Sequence, residues 1–259
     1  ATAGRTTLAG EGLQHQDSSS HLIAATVPNC RAYDPAFAYE IAMILDHGAR
    51  RMLSEGADEF YYLTCGNENY AQPSAPPDAR EGVLRGLYRI VATEQPARVR
   101  LLGSGSILNE ALRAAELLAA DWGVAAEVYS ATSYAELARD ARETERDNRL
   151  HPEREPRRHW LETTLPGDAP VVAASDYVRA YPQLVAGYVR APFVALGTDG
   201  FGRSDTRAAL RRFFEIDRFS IAATALWTLA REGGIDRAVA AQAIQRYGLK
   251  SEDAAPWLV

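Results

Sequence analysis

Residues 4–21 read Gly-Arg-Thr-Thr-Leu-Ala-Gly-Glu-Gly-Leu-Gln-His-Gln-Asp-Ser-Ser-Ser-His. Two histidines, His15 and His21, and two carboxylates, Glu11 and Asp17, share a stretch with almost no apolar content and three glycines. Such a segment cannot form a core. Glycine lets its backbone bend, and its side chains are free to meet a polar ligand. Histidine titrates near neutral pH, so His15 is the candidate acid/base group, with Glu11 placed to orient it. The same side chains read as solvated loop residues if nothing is held against them, and Asp17 with Ser18, Ser19 and Ser20 fits that bland reading as well as a binding one.

Three other clusters carry polar chemistry. Glu68, in Asn-Glu-Asn-Tyr over 67–70, follows a β-prone run, where functional carboxylates often stand; fixing its own loop through the asparagines is the structural alternative. Gly103-Ser-Gly105 sits between a strand and a helix. It lacks the third glycine of the dinucleotide fingerprint and the acidic residue after the next strand, so it reads as a turn and not as a nucleotide site. Asp199-Gly-Phe-Gly-Arg-Ser-Asp205 reads as a strand-to-helix turn in which Ser204 or Asp205 caps the following helix. His47, His151 and His159 have no metal-ligand spacing, and no metal site is expected.

The elements that must position these groups fall into two parts. Asp34-Pro35 looks like a helix start, with Phe37, Ile41, Ile44, Leu45 and Met52 at helical spacing as far as Gly56. Residues 60–64 and 86–92 read as strands, and 72–78, with three prolines, as a rigid loop. Residues 93–97 read as a linker. Beyond them strand and helix alternate: strands at 98–102, 125–130, 171–174 and 193–196, helices at 107–121, 133–147, 206–214, 218–231 and 237–247. Ser133-x-x-Glu136 is a capping box. The arginine- and acid-rich stretch 139–158 reads as a salt-bridged, solvated face, and the short tail packs through Trp257. This alternation predicts an α/β fold with a mainly parallel sheet covered on both faces. The first part, 1–92, offers too few strands to close a core by itself.

Composition narrows the class. The chain has 259 residues, 47% hydrophobic and 24% charged, with net charge −6. That balance gives no electrostatic case for nucleic acid or an anionic membrane. No apolar run approaches the length of a membrane-spanning helix. The start shows no basic n-region with an apolar h-region and no Met, which reads as a processed, trimmed or truncated beginning without a signal peptide. Cys30 and Cys65 are too few for a disulfide framework and read as reduced thiols of a cytoplasmic protein.

The loop at 4–15, the segment Ile23–Tyr33, the Asn67–Tyr70 stretch with Pro73, the 101–106 turn and the 196–205 stretch together resemble the last third of the homodimeric bacterial pyruvate dehydrogenase E1 component, a thiamine-diphosphate enzyme of the transketolase superfamily. The resemblance implies a partial pyrimidine-binding-type α/β segment over 1–92, carrying an active-site loop at 4–21, followed by a transketolase C-terminal-like domain over 97–259 with a mainly parallel mixed sheet. It places Glu11 and His15 among active-centre positions, with His21, Asp17 and Glu68 around the substrate. The family's further histidine is replaced here by Ser19. The Gly-Asp-Gly signature with its downstream Asn is missing, since Thr198 precedes Asp199, and the activating glutamate falls upstream of the match. The resemblance therefore implies that thiamine diphosphate and Mg2+ are held mainly by a part or subunit outside this chain, in a homodimer-type assembly, with a lipoyl acyltransferase as a further partner. Two alternatives remain open: the C-terminal subunit of a split transketolase-like enzyme that moves a two-carbon unit, and a non-catalytic assembly module.

Overall fold

The computed structural model describes residues 4–8, 11–250 and 252–259. The first part contains α1 (Ser20–Ala25), β1 (Cys30–Tyr33), α2 (Ala38–Ala49), β2 (Phe60–Leu63) and α3 (Ala79–Arg85). β1 and β2 pair in parallel, Cys30 opposite Phe60 and Tyr33 opposite Leu63, so among the described residues this sheet has two strands.

The helix expected at Asp34-Pro35 starts later, at Ala38, because a buried glutamate does the capping. The Glu40 carboxylate accepts from the backbone N–H groups of Ala36 at 2.5 Å and Phe37 at 3.0 Å, satisfying donors that the first turn leaves orphaned. Asp34 is thereby free for other partners. Ile44 is fully buried as its spacing predicts, but Leu45 is 56% exposed. The helix runs on through a π-turn at Arg50–Ser54, where Met52 and Leu53 are also exposed. α3 had no counterpart in the sequence pattern. It ends at Gly86, whose φ of 101° places it in the left-handed region, and a Cβ there would lie 2.4 Å from the Ser133 carbonyl oxygen. Only glycine fits both conditions.

The second part contains β3 (Tyr88–Val91), β4 (Val99–Gly103), α4 (Leu108–Trp122), β5 (Ala126–Ser130), α5 (Tyr134–Leu150), α6 (Trp160–Thr164), β6 (Val171–Ala174), α7 (Ala180–Gln183), β7 (Phe193–Leu196), α8 (Arg207–Phe213), α9 (Arg218–Arg231) and α10 (Arg237–Arg246). The sheet order is β3-β5-β4-β6-β7. β3 is antiparallel to β5, and the other pairings are parallel. The stretch 93–97 thus joins two strands of one sheet, and β3, on the N-terminal side of that stretch, belongs to the second sheet.

Alternation along β4 explains the layers. Leu101 faces a core with Leu108, Leu118, Ile221 and Leu226 from α4 and α9. Leu102 faces the opposite one, with Tyr134, Leu137 and Leu161 from α5 and α6. β4, β5 and β6 are buried along their whole lengths, as a parallel sheet covered on both faces requires.

Helix starts follow the capping rules, with one correction. The Ser133 hydroxyl accepts from the Glu136 N–H at 3.0 Å, as expected. α8 is capped by Thr206 instead of Ser204 or Asp205, its hydroxyl accepting from the Ala209 N–H at 3.3 Å. Ser204 donates to the Glu11 carbonyl at 2.7 Å. In the tail, Trp257 is half-exposed and carries the Arg179 guanidinium over its ring at 4.6 Å. Among the described residues no helix is long and apolar enough to cross a membrane.

Candidate functional site

The polar loop is held by its two ends and open at its tip. At the first end, Asp176, which follows β6 and is 3% exposed, gathers Thr6 and Thr7. Its carboxylate accepts from the Thr6 N–H at 3.0 Å, the Thr7 N–H at 3.1 Å, the Thr6 hydroxyl at 2.7 Å and the Thr7 hydroxyl at 2.8 Å. Burial raises the pKa of this carboxyl, and the donors from Thr6 and Thr7 with the Arg211 charge pull it back. Arg5 extends the anchor, donating to the carbonyl oxygens of Thr198 (2.8 Å) and Gly200 and to the Ser18 hydroxyl (2.7 Å). Gly4 makes room, since a Cβ at that position would overlap the Asp176 carboxylate.

At the tip the side chains of the acid/base pair are exposed. His15 closes a short 3-10 turn at Leu13–His15. Its Nε2 lies 3.9 Å from a Glu11 carboxylate oxygen, with the two side chains 61% and 50% exposed. The loop therefore brings Glu11 and His15 together but leaves both facing solvent. Gln16 ties the tip to the 199–205 stretch by donating to the Arg203 carbonyl at 2.5 Å and accepting from the Arg203 N–H at 2.8 Å. Asp17 acts locally, accepting from the N–H groups of Ser19 (3.1 Å) and Ser20 (3.0 Å) at the start of α1.

The second end is His21, fully buried in α1. Its ring stacks on Tyr181 at 4.7 Å and meets the Tyr177 ring edge-on at 4.6 Å. Its Nε2 is 3.0 Å from the Thr64 hydroxyl, and that hydroxyl donates to Asp34 at 2.8 Å. Burial pushes the His21 pKa down to about 4, so the ring is neutral at physiological pH and does not carry a charge to a substrate. Asp34 shows the opposite response. Burial pushes it up to about 7, helped by Asp176 and Glu40 and opposed by the Thr64 hydrogen bond. Asp34 and Asp176 both line a small polar cleft with Thr7, Ser106, Tyr70 and Tyr177. The cleft stands at the carboxyl ends of β1, β4 and β6, where open α/β sheets hold their ligands.

Glu68 stands apart from His15. It pairs with Arg211, whose Nη1 is 3.2 Å from Oε1, and Arg211 also approaches Glu110 at 3.5 Å. Glu110 is gripped in turn by Arg218 at 2.9 Å. This network locks the 64–78 loop to α8 and α4. The glycine turn after β4 serves Asp34: the Gly105 N–H donates to the Asp34 carbonyl at 3.0 Å, and a Cβ on Gly105 (φ 50°) would lie 2.7 Å from its carboxylate. Asp199 accepts from the Arg179 N–H at 3.0 Å and from its guanidinium. Among the described residues no group of three His, Cys, Asp or Glu could hold a metal ion.

Asp34, Thr64 and Asp176 were missed as site residues. Asp176, at the end of the apolar run 171–174, had the positional signal of a strand-end carboxylate. Asp34 looked like a cap, and nothing in the sequence marked Thr64.

Residues 1–73 match the model of the pyruvate dehydrogenase E1 component middle domain, and residues 86–217 that of the transketolase-like C-terminal domain. Among curated proteins, the chain is 49% identical over 259 residues to a pyruvate dehydrogenase E1 component from Pseudomonas aeruginosa, with 98% of this chain and 29% of the relative covered. It is 47% identical over 260 residues to that of Escherichia coli K12, covering 99% and 29%. The chain thus spans 29% of the length of these relatives. Among solved structures, a transketolase from Pichia stipitis aligns with TM-score 0.66 at 21% identity, over 91% of this chain and 30% of that one. A split-gene transketolase aligns with TM-score 0.59 at 18% identity, over 88% and 65%.

Proposed function

This chain belongs to the family of transketolase-like C-terminal domains, and from that premise we propose that it supplies the substrate-side loop of a pyruvate dehydrogenase E1-type enzyme. The observation that carries the reading is the construction of residues 4–21: two buried anchors, at Asp176 and at His21, with the Glu11–His15 pair exposed between them. A loop fixed at both ends can hold an acid/base group in one place while leaving it open to a substrate presented by another polypeptide.

In that enzyme the cofactor is thiamine diphosphate with Mg2+, which supplies the carbanion chemistry for decarboxylating a 2-oxo acid. The described residues do not fit its metal and diphosphate: no three ligands cluster, and Asp199 is occupied by Arg179. The cofactor belongs to a part or subunit outside this chain, and the assembly is of the homodimer type. This chain's own residues then do the following. His15 donates a proton to, or takes one from, an oxygen of the 2-oxo acid or a sulfur of a lipoyl group on an acyltransferase partner. Glu11 orients the imidazole. Asp17 fixes the start of α1 behind the pair. The working compartment is the cytoplasm, where the free thiols of Cys30 and Cys65 stay reduced.

The test is complementation. The chain, mixed with the N-terminal portion of a related E1, thiamine diphosphate and Mg2+, is assayed for pyruvate-dependent acetylation of a lipoyl domain. Neither part should turn over alone, and the mixture should. A folded, associated mixture that is inactive with pyruvate, or that transfers a two-carbon unit to an aldose instead, contradicts the reading.

A further inference from the structure

We propose that Asp34 is a positioning residue: through the Thr64 hydroxyl it holds the His21 imidazole in the Nε2–H tautomer, and so pins the end of the loop that carries His15. The chain of contacts is short and buried. Thr64 Oγ1 lies 2.8 Å from Asp34 Oδ1 and 3.0 Å from His21 Nε2. Above the value of about 7 to which burial pushes it, and so at the pH 8 of the test below, the Asp34 carboxylate is ionised and can only accept, so the hydroxyl proton points at Asp34. The hydroxyl oxygen then turns its lone pair to His21, and Nε2 must bring the proton.

Each member is held by further contacts. The Asp34 N–H donates to the Thr132 carbonyl at 2.8 Å, and its carbonyl accepts from the Gly105 N–H at 3.0 Å. The left-handed glycine at 105 leaves the space the carboxylate fills. Thr64 is 1% exposed, and its N–H is bonded to the Tyr33 carbonyl at 3.1 Å. His21 is clamped by Tyr177 and Tyr181, contacts that fix the ring plane but not which nitrogen carries the proton. Its Nδ1 is buried with no hydrogen-bond partner among the described residues, so the Thr64 bond sets the tautomer. Asp34 Oδ2 has no hydrogen-bond partner within normal distance among the described residues, so the Thr64 bond to Oδ1 is the one on which the orientation rests. Just upstream, the Val178 N–H donates to the Ser18 carbonyl at 3.0 Å, so a fixed His21 ring holds the loop's return against the second part of the molecule.

The consequence for His15 rests on the proposed function, but the test does not. The full chain, labelled with 15N-histidine, is examined by long-range 1H–15N NMR at pH 8, with the His21 signals assigned by their loss in His21→Phe. The wild type should show a single neutral Nε2–H form. Asp34→Asn, whose amide can donate to Thr64, should let the hydroxyl proton turn toward His21 and raise the Nδ1–H population at least several-fold. Thr64→Val should also abolish the single form, and Thr64→Ser, which keeps the hydroxyl, should restore it. Circular dichroism checks the fold of each variant, and if Asp34→Asn does not fold, the Thr64→Val and Thr64→Ser pair decides. A wild-type Nδ1–H form, an Asp34→Asn spectrum identical to wild type, or a Thr64→Ser variant that behaves like Thr64→Val overturns the proposal. None of these outcomes reads catalytic turnover, so a failure here is distinct from a failure of complementation.

Discussion

The two ends of the loop at 4–21 and its tip are built by opposite rules. At Thr6 and Thr7 the backbone N–H groups and the hydroxyls are paired to a carboxylate that is itself buried, and at His21 a ring is sealed among tyrosines. Between them, Leu13, Glu11 and His15 are half-exposed or more. Buried, satisfied polar networks impose one geometry because each broken bond leaves a costly orphan. An exposed pair imposes little and is open to a partner. The difference teaches that the ends serve the fold, while the tip is left open to solvent. The same contrast runs through the whole molecule. The second part has five strands and two covered faces. The first has two strands and leaves Leu45, Met52, Leu53 and Phe60 exposed.

The contrast can be broken by substitution. Asp176→Ala strips four donors of their acceptor, so it should cost about 3 to 5 kcal/mol in urea unfolding of the chain. A loss below about 1 kcal/mol would mean the anchor is not satisfied as described.

A smaller effect comes from pH. His21 sits at about 4 when folded, below its ordinary 6.5, so the unfolded chain takes up the proton first and stability falls as pH drops from about 6.5 to 4. Asp34 sits at about 7, above its ordinary 3.8, with Glu40 and Asp176 facing it. The folded chain holds that proton longer, so stability falls as pH rises from about 4 to 7. The two slopes oppose each other between 4 and 6.5. Burial raises the Glu40 and Asp176 carboxyls as well, and they slope with Asp34. Asp34→Asn should remove its share, so that stability rises with pH more steeply than in the wild type by up to about 1.4 kcal/mol per pH unit. Urea midpoints with the wild-type pH dependence across this window would remove Asp34 as a raised buried carboxyl. Smallest of all, Leu13→Ser at the tip should change stability by less than about 0.5 kcal/mol, whereas a drop of 2 kcal/mol or more would show the tip packed against the chain itself.

The sequence made the second part legible because its strands are short, continuous apolar runs between amphipathic helices, and 171–174 and 193–196 coincide with β6 and β7. The exposure of the tip was legible too, because polar surface is written in local composition. The anchors were not. Thr6 and Asp176 are separated by 170 positions, and no periodicity links residues that far apart. Asp34 carried a local signal for a helix cap, and a buried Glu40 took that task instead. His21 shared its neighbours' polar context, yet tertiary packing against Tyr177 and Tyr181 made it a neutral core residue.

The most direct test of the tip as the working part is His15→Ala, measured in the complemented enzyme and in the isolated chain. An acid/base or substrate-positioning role predicts a fall in kcat of about 10²- to 10⁴-fold, while the melting temperature of the chain stays at the wild-type value because no packing is lost. Unchanged turnover at an unchanged melting temperature would contradict the account and make His15 a solvated loop residue.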